Sequence, residues 1–115
     1  MIDNEKELLK APGPLSNEAL GRKVLLVLSA TVAKQEASRK AAANTDNLVD
    51  VITESLMAER YWGKGVADGT LIAQRLGLDE TQIIGAIQRG KVMTPEELDE
   101  MEKIFLMSMY ESDQS

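Results

Sequence analysis

Neither cysteine nor histidine occurs among the 115 residues, and aromatic side chains make up only 3% of them. Without thiols or imidazoles the chain has no material for a disulfide framework, a Cys/His zinc site, a thiolate nucleophile or a Ser-His-Asp triad. Long apolar runs are missing too. Val24 to Leu28 follows Arg22 and Lys23 in the manner of a signal peptide, but it begins too far in and soon meets Lys34 and Glu36. That is well short of the roughly 20 residues a bilayer span needs. The sequence reads as a cytoplasmic protein with no membrane segment and no cofactor, and not as an enzyme. Carboxylate chemistry is the one catalytic option left. Glu96 and Glu100 share a helix face that a hard cation would fit, but no EF-hand or HExxH spacing accompanies them, and a solvated helix face accounts for them.

What remains has the composition of one globular domain, 43% apolar and 28% charged at 12.6 kDa,. The net charge of -6 is unevenly spread. Residues 1–92 sum to zero, whereas residues 93–115 set seven acids (Glu96, Glu97, Asp99, Glu100, Glu102, Glu111, Asp113) against Lys103 alone. Most of the domain is therefore electrically neutral and its last helix is acidic.

Strand signals are weak throughout, and the apolar spacing predicts an all-α protein of about five helices. Pro12-Gly13-Pro14 separates an arm, residues 1–14, from a single domain over 15–115. Ser16 is a suitable N-cap for a long helix carrying Leu20, Val24, Leu25, Val27, Leu28 and Val32 on one face and ending near Ala43. After a break at Asn44 to Asn47, a second helix runs from Leu48 to about Tyr61, with Gly63-Lys64-Gly65 ending it. Asp68 caps a short third helix closed by Gly77. Asp79 with Gln82 forms a capping box for a fourth, closed by Gly90. Thr94 to Glu97 repeats the device, with Pro95 at the first helical position of a fifth helix that reaches about Tyr110.

The segment 68–90 carries the strongest geometric signal. Ala73 lets two helices approach closely, Gly77 supplies a left-handed turn, and Ile84 with Ile87 anchors the second helix. Ile72, Ala73, Leu76, Gly77, Ile84, Ile87 and Gly90, with the loop from Lys91 into Leu98, resemble the phage-repressor or Xre-type helix-turn-helix domain over residues 70–98, roughly a third of the chain,. The chain differs from that family by one extra residue between Gly77 and Ile84, and its first sixty residues do not match. The resemblance implies a small dimeric DNA-binding regulator. Thr81, Gln82, Gly85, Gln88 and Arg89 would face the major groove, and Lys64, Arg75 and Lys91 would meet phosphates.

A reading of another class rests on the C-terminal helix. Four of the six methionines (Met93, Met101, Met107, Met109) lie in the last 23 residues. Met adapts to irregular partners, so Met101, Phe105, Met109 and Tyr110 are candidates for a surface by which an acidic interaction module docks on a protein partner without binding DNA. Tyr61 and Trp62, beside the glycines, read as a plug over a helix end, and Gly63-Lys64-Gly65 lacks the spacing of a phosphate loop.

Overall fold

The computed structural model describes residues 17–114, with side chains from 18 to 107. Every element among them is a helix, and there are four rather than about five. Helix α1 spans Asn17–Ala43. Helix α2 is one rod built of three consecutive stretches: Leu48–Leu56, a π-helical turn over Met57–Trp62, and Gly63–Arg75. Helix α3 spans Glu80–Val92 and α4 spans Pro95–Gln114. The arm expected over residues 1–14 and the cap expected at Ser16 lie outside the described residues. No helix among the described residues is long and apolar enough to cross a membrane.

Caps set the expected breaks. The Asn47 side chain accepts hydrogen bonds from the Val49 and Asp50 N–H groups at 3.0 and 3.2 Å and starts α2,. Thr94 and Glu97 satisfy each other's backbone N–H groups at 3.3 and 3.2 Å at the start of α4,.

The glycines at 63 and 65 do not end a helix. They lie within α2, on its side nearest α1. A Cβ on Gly65 would meet Thr31 Cγ2 at 3.0 Å, and one on Gly69 would meet Leu28 Cδ1 at 3.2 Å. Fully buried Ala73 continues the row one turn later. These small residues let α2 approach α1 closely, and that packing outweighs the poor helix propensity of glycine. Asp68 is consequently an exposed mid-helix residue and not a cap. The π turn sits at Met57–Trp62, where the Gly63 N–H reaches the Ala58 carbonyl five residues back,. Trp62 is half-buried there, its ring 4.8 Å from the Lys34 Nζ, while Tyr61 is exposed.

Helix α1 is the central element, and every other helix packs on it. One side carries Leu28 and Val32 against Ala73, Ile83 and Ala86. Another carries Leu26 and Ala30 against Met101 and Ile104 of α4. Two cores on one rod explain why the run from Val24 to Leu28 is apolar almost all round. The expected single face is corrected accordingly: Leu26 is buried and Val27 exposed.

Candidate functional site

Between the end of α2 and the start of α3 the chain turns within Leu76 to Asp79. Gly77 has φ +80°, a left-handed conformation that a side chain would strain,. The Gly77 N–H donates to the Gln74 carbonyl at 3.0 Å and the Leu78 N–H to the Ala73 carbonyl at 3.1 Å, so two carbonyls of the last turn of α2 are satisfied,. Leu78 then tucks against Gly21 of α1, where a Cβ would lie 2.9 Å from Leu78 Cδ2. The expected capping box closes the turn, with the Asp79 N–H donating to Gln82 Oε1 at 3.0 Å,.

Helix α3 meets α1 through Ile83, Ala86 and Gly90, all buried, with Ile87 half-buried beside them. The anchor expected at Ile84 is corrected to Ile83, since Ile84 is 45% exposed. The reason lies in the small residues. The hydroxyl of buried Ser29 donates to the Ala86 carbonyl at 2.8 Å, and Gly90 sits against the Ser29 carbonyl oxygen, where a Cβ would lie 2.6 Å from Val32 Cβ. Only the face bearing Ala86 and Gly90 lets the helix come this close. With Ile83 inward, the spacing from Gly77 is one residue shorter than the spacing to Ile84.

The opposite face of α3 presents Thr81, Ile84, Gly85, Gln88 and Lys91, all exposed, at the three- and four-residue spacing of one helical surface. Of the residues expected to read bases, Thr81, Gly85 and Gln88 therefore share the outer face. Gln82 is exposed, but its carbonyl oxygen is engaged in the capping box. Arg89 is half-buried and lines a shallow cleft with Leu25, Leu26, Ser29, Gln82 and Ala86 on the α1 side, with Gly85 at the edge it shares with the outer face. Arg75 is exposed at the end of α2, just before the turn, and Lys91 is exposed near the end of α3. Lys64 is exposed as well, but stands eleven residues before Arg75, about 16 Å away along the helix axis. Asp79 and Glu80 are exposed at the start of α3, so the positive character of this surface is modest.

Sequence reasoning missed Ile84 and Val92 on the exposed side of α3, Val92 being 78% exposed. The signal was the pair of small residues Ala86 and Gly90, which fixes the inner face more firmly than the adjacent isoleucines do. Gly85 is the other informative position. A Cβ built there meets nothing within 4 Å, and its φ is not positive. Packing and turn geometry explain the glycines at 21, 65, 69, 77 and 90, but neither explains this one.

The interface expected on α4 is also corrected in part. Met101 is buried with Leu26, Ala30 and Ile104, and Phe105 packs against the same cluster, so both belong to the core of the protein. The side chains of Met109 and Tyr110 lie outside the described ones. Leu106 and Met107 are exposed. Lys34 pairs with Glu102 at 2.6 Å and joins α1 to α4. Among the described residues no three carboxylates gather as a cation site.

No family model, curated protein or solved structure matches the chain.

Proposed function

We propose that the chain is a small DNA-binding regulator whose corner unit, the end of α2 with α3, acts as a helix-turn-helix. The carrying observation is the outer face of α3, where Thr81, Ile84, Gly85 and Gln88 stand exposed on a helix locked to α1 by Ile83, Ala86 and Gly90. Support comes from the left-handed Gly77, the buried Ala73 four residues before it and the inward Ile83, which restores the spacing from Gly77 to the anchor in the phage-repressor or Xre-type pattern and moves the one extra residue to between the anchor and Ile87. In a major groove, Gln88 offers a bidentate pair to adenine, Ile84 an apolar surface for a thymine methyl, and Lys91 and Arg75 charge for phosphates. Gly85 has a role in this reading that it otherwise lacks: a missing side chain allows the backbone to approach the bases. With so few cations on the surface, one copy binds weakly and two copies reading adjacent half-sites are required.

The test is fluorescence polarisation of the protein against random and selected duplexes at two salt concentrations. The expected result is selective binding that weakens steeply with salt and falls in Gln88→Ala and Ile84→Ala, both exposed positions whose helicity is retained. Equal affinity of both variants and the unsubstituted protein for the selected duplex removes the assignment. A second reading, docking of a protein partner on α4, is favoured by exposed Leu106 and Met107 in an acidic helix,. It predicts that duplex DNA is ignored and that charge reversal across Glu96 to Glu102 abolishes partner capture.

A further inference from the structure

The first stretch of α2 turns the wrong kind of face to water. Leu48, Val49, Ile52 and Leu56 are 72, 69, 52 and 45% exposed and form one stripe, while Val51 is half-buried and Ala58 buried. Four large apolar side chains on one exposed helix face mark an interaction surface.

The charges beside the stripe indicate its occupant. Asp50 stands at its N-terminal end and Arg60 at its C-terminal end, both exposed. Asp50, Thr53 and Met57 follow at intervals of three and four, and Thr53, Met57 and Arg60 line a single shallow cleft with Leu56 and Tyr61, so acid and base share one edge of the helix. Among the described residues, the carboxylate of Asp50 and the guanidinium of Arg60 have no ion-pair partner.

In an antiparallel pair of identical helices, like edges face each other and an interface closed by a two-fold axis repeats each contact. An axis level with Ser55 brings Asp50 of one copy opposite Arg60 of the other, twice over. It also sets Val49 level with Tyr61 of the second copy and interleaves Ile52 with Leu56. A parallel pair would instead align acid with acid and base with base.

We infer that this face binds a second copy of the chain, antiparallel, about a two-fold axis near Ser55. The inference rests on α2 alone and does not depend on DNA binding.

The chain contains no cysteine, which permits a direct test on the full-length protein without DNA. Light scattering is expected to give twice 12.6 kDa for the unsubstituted chain, and a dissociation constant raised at least about tenfold by Ile52→Glu. Ile52 is exposed, so the circular dichroism of this variant is unchanged. Asp50→Arg and Arg60→Asp each weaken the dimer, and the double variant restores it. A mixture of Asp50→Cys and Arg60→Cys chains cross-links on oxidation, whereas neither variant cross-links with itself, because two copies of residue 50 lie about 15 Å apart along the axis. A monomeric unsubstituted chain overturns the inference, as does self-cross-linking of Asp50→Cys or a dimer indifferent to Ile52→Glu.

Discussion

Gly90 leaves no space for a methyl group, because the Ser29 carbonyl oxygen and Val32 of α1 occupy the place where it would go. Backbone cannot yield as a long side chain can, so Gly90→Ala is expected to lower stability by at least about 1–3 kcal/mol, read from a denaturant midpoint at unchanged m. Gly85 has open space around it. Gly85→Ala is therefore expected to stabilise the protein by about 0.5–1 kcal/mol, since alanine loses less entropy in a helix, and at the same time to weaken duplex binding. A variant that is more stable and binds as before would detach Gly85 from function. Ser29 lies between these positions in effect. Its hydroxyl ties α1 to the Ala86 carbonyl, and Ser29→Ala is expected to cost about 1 kcal/mol by thermal or chemical unfolding.

Helix ends were largely legible in the residues, and a helix interior was not. Asn47, Asp79 with Gln82, and Thr94 with Glu97 carry the chemistry of caps and act as caps. Gly63 and Gly65 carry the chemistry of a helix stop but lie inside α2. The same residue type serves as a turn at Gly77 and as a contact surface at Gly65 and Gly69, and the difference lies in α1, which local sequence does not describe. Ile83 and Ile84 pose the same problem, because adjacent apolar residues leave the phase of a helix undetermined until small neighbours such as Ala86 fix it. A prediction at this scale concerns α4. Thr94→Ala removes the side-chain acceptor of the Glu97 N–H, 3.2 Å away, and is expected to cost about 1 kcal/mol. The loss should be confined to α4, seen as faster amide exchange there than in α1.

The whole molecule is organised by α1, which carries α2 and α3 on one core and α4 on the other. The acidic excess lies in residues 93–115, most of them on α4, and residues 1–92 sum to zero. Leu48, Val49, Ile52 and Leu56 are exposed on the first stretch of α2, at the other end of that helix from the turn at Gly77, so the proposed self-association and the proposed recognition use different parts of the molecule. The decisive quantity is the affinity for a selected duplex at two salt concentrations, compared between the unsubstituted protein and Gln88→Ala. The account predicts tight binding at low salt, a steep fall at high salt and a loss of about tenfold or more in the variant. Equal, salt-insensitive signals from both proteins, or no binding by either, would contradict it.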